Sequence, residues 1–310
     1  MSERRGSFAA QRTTALLRRF VKPRLFGTIA SLRRFQALVE KLSPERRAPF
    51  APEIPGDLVP AIGAPIGATL IYLYGGAFLV GSSRLFRFVA RDFARAGFDV
   101  FTPDYRLAPD HVFPTALEDV LQAYQALLAA RPGPIVLAGD SAGGGLAVSL
   151  MVRARDEGLP LPEAAALFSP WTDLAVASPS VRENDEKDAL FNRRAILSGA
   201  RASLGRASAK NPLASPVYAD LTGLPPLVVH AGIDEALRDD SARLVARAQA
   251  AGVDVEFELW PDVPHAWQWM GFIPEARESR AKATAFLKRS LSKGRAEPRA
   301  LSARMELRER

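Results

Sequence analysis

The sequence predicts an α/β fold: a mainly parallel central sheet, helices on both of its faces, and a mostly helical cap. Three observations carry this. Short apolar runs alternate with amphipathic helical stretches from residue 68 onward, as expected when helical crossovers join buried parallel strands. One long polar excursion, roughly 173–215, interrupts the alternation, and long excursions at such places are often lids. The composition, 48% hydrophobic and 24% charged over 310 residues, suits a large α/β domain with a full core.

The elements follow in order. Residues 1–47 form an N-terminal segment with helical spacing. Leu16, Leu17, Phe20, Leu25, Phe26, Ile29 and Leu32 recur between arginines, and Pro23 breaks the run. The expectation is a pair of helices that pack on the body and solvate an arginine face; the sharper alternative is a helix lying on a membrane surface. A Pro-rich linker (Pro49, Pro52, Pro55, Pro60, Pro65) opens the body, 48–292. Strands are predicted at 68–73, 98–102, 134–138, 164–168, 226–231 and 253–260. Helices are predicted at 83–95, 113–130, 142–155, 239–251 and about 275–292. The charged tail, 293–310, has no core pattern and is expected to be a frayed helix or disordered.

Bulk chemistry narrows the function. The chain has no cysteine, which excludes disulfides and thiolate metal sites. No apolar run approaches the ~18 residues that span a bilayer, and no signal-peptide core follows the basic N-terminus. A cytoplasmic protein without stable membrane insertion is the expectation. The net charge is +7, but residues 1–47 carry +9, residues 293–310 carry +3 and the body carries −5. The basicity belongs to the ends, and no nucleic-acid motif accompanies it. Nucleic acid is therefore not an expected partner.

The strongest local signal is Gly139-Asp140-Ser141-Ala142-Gly143. It fits G-x-S-x-G, with an apolar strand (Ile135–Ala138) before it and a small-residue helix after it, the setting of a nucleophile elbow. The helix N-terminus would aim free N–H groups at Ser141. A serine hydroxyl needs a base, and the chain has three histidines. His111 lies in a Pro-bounded loop. His230 lies inside an apolar strand and reads as a core residue. His265 lies in the loop after strand 253–260, where it can reach the elbow, and is the expected base. The orienting acid is expected to be Asp234, just past strand 226–231. Asp239 and Asp240 read as acids in the first turn of the next helix. An acyl-transfer serine also needs oxyanion donors. One is expected from Ala142, and the others from the Gly75-Gly76-Ala77 loop after strand 68–73.

At these residues the chain resembles the hormone-sensitive-lipase branch of the α/β-hydrolases, the bacterial type IV esterases, from about Thr69 to Trp269. Gly139–Gly144 is similar to its G-D-S-A-G-G. Asp104-Tyr105-Arg106-Leu107-Ala108-Pro109, with Phe113-Pro114 and Leu117-Glu118-Asp119, resembles another of its signatures, as do Ser169–Leu174, Ser215-Pro216 and Gly223–Pro226. The order Ser141, Asp234, His265 is that of the α/β-hydrolases. The resemblance implies an α/β-hydrolase fold, a cofactor-free serine carboxylesterase acting on small or short-acyl esters, and a cap built from the N-terminal helices and the 173–215 insertion. It implies Gly76, Ala77 and Ala142 as oxyanion donors. Tyr74 and Asp140 would support them.

One departure is plain. The family has H-G-G-G where this chain has Tyr74-Gly75-Gly76-Ala77. Alanine is strained by roughly 1 kcal/mol if φ is positive there, its methyl could narrow the pocket, and Tyr74 would replace a histidine that braces the loop by hydrogen bonding. Two alternatives stay open: a non-catalytic ligand-binding homologue, or an amide or lactone hydrolase using the same triad. A small-molecule ester is the expected partner, with a homodimer possible.

Overall fold

The structure, a computed structural model, describes residues 5–22, 29–42 and 48–306. Pro23, Leu25 and Phe26 lie outside the described residues, as does the end of the tail, 307–310.

Seven strands form one sheet: β1 (Gly56–Val59), β2 (Thr69–Leu73), β3 (Asp99–Pro103), β4 (Ile135–Asp140), β5 (Ala165–Phe168), β6 (Leu227–Gly232) and β7 (Val255–Trp260). Their spatial order is β1-β3-β2-β4-β5-β6-β7. All neighbours are parallel except β1, which runs antiparallel to β3 with Gly56 opposite Pro103. The six strands expected from apolar runs are all present. Strands β2, β4, β5 and β6 are buried at every position, which is why they read as continuous apolar stretches without alternation.

Strand β1 was not expected, because it sits inside the Pro-rich stretch. Its buried Asp57 accepts from the Ala48 N–H and pairs with Arg87. Tertiary partners, more than local preference, make it a strand.

The helices are α1 (Phe8–Leu16), continued by a π-helical turn (Leu17–Val21), then α2 (Ile29–Leu42), α3 (Arg87–Arg95), α4 (Thr115–Ala130), α5 (Ala142–Asp156), α6 (Ser180–Glu183), α7 (Arg193–Leu204), α8 (Arg238–Ala250) and α9 (Pro274–Glu306). Helix α9 runs well past residue 292, so the part of the tail that is described is helical. Among the described residues no helix is long and apolar enough to cross a membrane.

The N-terminal segment departs from expectation in its orientation. Helix α1 turns Ala10 and Thr14 inward, while Leu16 and Phe20, expected on the packed face, are exposed. The reason is a fixed docking. The Thr14 hydroxyl donates to the Asp262 carbonyl (2.8 Å), and Ser7 donates to Glu275 through its hydroxyl (3.0 Å) as well as its N–H. Small Ala10 fits against the cluster around Trp260 and Trp267.

The 173–215 excursion carries α6 and α7. Its start is tied to α8 through buried Asp240, which accepts from the N–H groups of Thr172 and Asp173 and from the Ser178 hydroxyl. Asp239 and Asp240 do lie in the first turn of α8; Asp240 also anchors this loop.

Candidate active site

Strand β4 runs into α5 through a sharp turn, and Ser141 is the corner. It sits at φ 53°, ψ −123°, a conformation that costs on the order of 1–3 kcal/mol for a non-glycine residue. Two bonds hold the corner across the sheet: Ser141 N–H to the Phe168 carbonyl and Trp171 N–H to the Ser141 carbonyl, both 2.9 Å. The flanking glycines are required by space. A Cβ on Gly143 would lie 2.0 Å from the Leu73 carbonyl oxygen, and one on Gly139 would lie 2.6 Å from the Gly143 carbonyl oxygen.

His265 comes from the loop after β7. Its Nε2 lies 2.8 Å from Ser141 Oγ. Its Nδ1 lies 2.9 Å from Glu235 Oε2, not from Asp234. This corrects the expected acid. Past the end of β6 the chain turns, with the Glu235 N–H donating to the Gly232 carbonyl (3.3 Å). The turn folds residue 235 back over the strand end and leaves Asp234 on the outer corner. Asp234 lines an open groove of about 960 Å³ with Arg5, Ser7 and Arg18, a groove that Ser141 does not reach.

Glu235 is buried and fully engaged. Its Oε1 accepts from the Gly232 N–H (2.6 Å) and the Ser169 hydroxyl (2.7 Å). Ser169 Oγ in turn accepts from the Ala266 N–H (3.1 Å), so Ser169 fixes both the acid and the loop that carries the base. Burial alone would lower the pKa of His265. The hydrogen bond and the charge of Glu235 outweigh that and hold it above the ordinary histidine value, with smaller contributions from Asp188 and Asp140.

The other histidines are elsewhere. His230 is in the core with Nδ1 2.8 Å from Ser279 Oγ, and burial pushes its pKa down to about 3. His111 is exposed on its loop.

The loop after β2 faces the elbow. Gly75 was expected among the oxyanion donors, but its N–H donates to Asp140 Oδ1 (3.1 Å) and is taken. Among the described residues no acceptor meets the N–H of Gly76, Ala77 or Ala142. Asp140 also accepts from the Tyr72 hydroxyl (2.6 Å). It thereby links the elbow, β2 and the Gly75-Gly76-Ala77 loop. Burial pushes the Asp140 pKa up to about 6, against the hydrogen bond from Tyr72.

Ala77 does sit at positive φ, 56°, so the expected strain is present. Tyr74 braces the loop differently from a histidine. Its ring stacks on Tyr105 (4.4 Å, 16°) and on Phe86 (5.5 Å, 15°), and the Tyr105 hydroxyl donates to the Tyr74 carbonyl (2.5 Å).

A cavity of about 30 Å³ opens at Ser141, lined by Ala77, Trp171, Phe191, Ala195, Ile196 and Leu237. Four of these six residues were not singled out from the sequence: Phe191, Ala195, Ile196 and Leu237. Phe191 meets the His265 ring edge-on at 5.0 Å. Its loop is set by Asp188, which accepts from the N–H groups of Leu190, Phe191 and Ala236. Residues from the excursion thus roof the serine. Among the described residues no cluster of side chains could hold a metal ion.

A family model for the alpha/beta hydrolase fold matches residues 70–269. The chain belongs to that family, in its hormone-sensitive-lipase-like branch. An acetyl-hydrolase of Streptomyces hygroscopicus is 40% identical over 232 residues, 74% of this chain and 78% of the relative. An esterase of Acinetobacter venetianus is 36% identical over 222 residues, 70% and 73% of the two chains. The crystal structure of an esterase from the bacterial hormone-sensitive lipase family is 37% identical, with a TM-score of 0.80 over 92% of this chain and 99% of that one. A hormone-sensitive lipase from a metagenome library gives a TM-score of 0.85 at 31% identity, over 93% and 100%.

Proposed function

We propose that this protein is a serine carboxylesterase for small, short-acyl esters. The observation that carries the reading is the continuous relay from Ser141 Oγ through His265 to Glu235, at 2.8 and 2.9 Å. His265 Nε2 takes the Ser141 proton as Oγ attacks the ester carbonyl. Glu235 holds Nδ1–H and stabilises the imidazolium that forms. The N–H groups of Gly76, Ala77 and Ala142 receive the developing oxyanion. His265 then returns the proton to the leaving alcohol, and water repeats the sequence on the acyl-enzyme.

The small cavity at Ser141 supports a short acyl group. So do the names of the relatives, one an acetyl-hydrolase, and a related esterase crystal soaked with p-nitrophenyl butyrate. The N-terminal helices and the 173–215 excursion act as the cap. The reaction uses only this chain's own groups and a water molecule, with no cofactor. A cytoplasmic location belongs to the same reading, and cell fractionation tests it.

The test is hydrolysis of p-nitrophenyl esters from acetate to decanoate by wild type and Ser141→Ala. Activity that peaks at a short acyl chain and vanishes in the variant is expected. Equal hydrolysis by the two proteins would remove the assignment.

A further inference from the structure

The outer ridge of α1 and its π-helical turn carries Phe8, Arg12, Leu16 and Phe20, four residues apart along one face. Phe8 is 71% exposed, Leu16 52% and Phe20 50%. The guanidinium groups of Arg12 and Arg19 lie over the Phe8 and Phe20 rings, at 5.2 and 5.5 Å. Residues 5–22 hold five Lys/Arg and no acid. Helix α2 repeats the pattern with exposed Arg34, Leu38 and Lys41.

This ridge is not a packing face turned the wrong way. The inner ridge is already used: Ala10 and Thr14 are buried, and Leu17 and Val21 pack on the Trp260–Trp267 cluster. The docking bonds of Ser7 and Thr14 fix the helix. A monomer rarely displays large apolar side chains such as Phe8 and Leu16 on one ridge without a partner for them. Alternating aromatic, leucine and arginine residues on a fixed helix face match the boundary between anionic headgroups and acyl chains. Nucleic acid would use the arginines but not Phe8 and Leu16. A second copy would have to bring acidic surface to the ridge.

We propose that the outer face of the N-terminal helices docks the protein on an anionic lipid surface without spanning it. The docked segment reaches the site. The Lys22 ammonium donates to the carbonyls of Asp185 and Asp188 (3.0 Å to the latter). Asp188 holds the loop that sets Phe191 against His265.

Vesicle flotation of the full chain tests this, using neutral phosphatidylcholine vesicles and vesicles doped with phosphatidylglycerol. Binding to the doped vesicles alone is expected, weakening as salt rises. Phe8→Ser with Leu16→Ser should lower it at least about tenfold. Arg12→Glu with Arg19→Glu should lower it about fivefold or more per arginine. Turnover of soluble p-nitrophenyl acetate should stay unchanged in both. Ser141→Ala should bind as wild type does, which separates docking from catalysis. Absence of binding to the doped vesicles overturns the proposal. So does binding that survives loss of Phe8 and Leu16, which would mark a purely electrostatic site such as one for nucleic acid. A dimer by sedimentation equilibrium that Phe8→Ser with Leu16→Ser dissociates, without vesicle binding, would assign the ridge to a second copy.

Discussion

Glu235 Oε2 stands 2.9 Å from His265 Nδ1, while its chain neighbour Asp234 faces the outer groove. The two adjacent acids should therefore behave oppositely. Glu235→Gln keeps the shape but allows the wrong imidazole tautomer, and kcat should fall roughly 10³–10⁴-fold. Asp234→Asn should leave kcat within about twofold. Steady-state kinetics on p-nitrophenyl butyrate separates them.

The same contact sets the pH profile. In the proposed mechanism neutral His265 is the base, and Glu235 holds its pKa above the ordinary value. The acid limb of kcat/KM should have its midpoint above about 6.5. In the residual activity of Glu235→Gln the limb should move to lower pH. A limb that Glu235→Gln leaves in place would place the titration elsewhere.

Gly75 touches the elbow too closely for a side chain. A Cβ there would lie 2.3 Å from Asp140 Oδ2 and 3.0 Å from Ser141 Cβ. Gly75→Ala should push the oxyanion loop away and cost about one donor, on the order of 10²–10³ in kcat. KM should change little, because the loss falls on the transition state.

Asp140 couples stability to pH. Its carboxyl has a pKa of about 6 in the fold against an ordinary 3.8. The raised value means its contribution is fully present below about pH 4 and is lost as pH rises through 6. Asp140→Asn removes that loss. The stability of the variant relative to wild type should rise between pH 4 and 7, by up to about 3 kcal/mol. Urea unfolding at several pH values measures it. Asp240, raised by burial to about 7, titrates in both proteins and cancels.

Trp171 should set the acyl-chain limit of the proposed reaction. It lines the cavity at Ser141, and Phe78 lines a second apolar cavity with Phe113, Leu146, Leu174 and Leu213; the two rings meet at 6.4 Å. Trp171→Leu should open one space into the other. The kcat/KM ratio of hexanoate to acetate should rise roughly tenfold or more.

The parts legible in the sequence are those governed by local chemistry. Buried parallel strands are uninterrupted apolar runs, and an elbow needs small residues around its serine, so β4, α5 and Ser141 were readable. His265 was readable because a loop after a late strand reaches the same sheet edge. Glu235 was not, because the choice between neighbouring acids depends on the turn at Gly232 and on Ser169, which is 66 residues away. Gly75 looked like an oxyanion donor until Asp140 claimed its N–H. The outward ridge of Phe8, Leu16 and Phe20 was hidden for a similar reason. Periodicity gives a face, and only the docking of Thr14 on Asp262 says which way that face points.

The central claim is that Ser141, activated by His265 and Glu235, is the nucleophile. Labelling with a fluorophosphonate and mapping the adduct by peptide mass spectrometry tests it most directly. The expected result is stoichiometric labelling on the peptide containing Ser141, much slower labelling in Glu235→Gln, and none in Ser141→Ala. A folded wild-type protein that stays unlabelled, or a label on another residue, would contradict it.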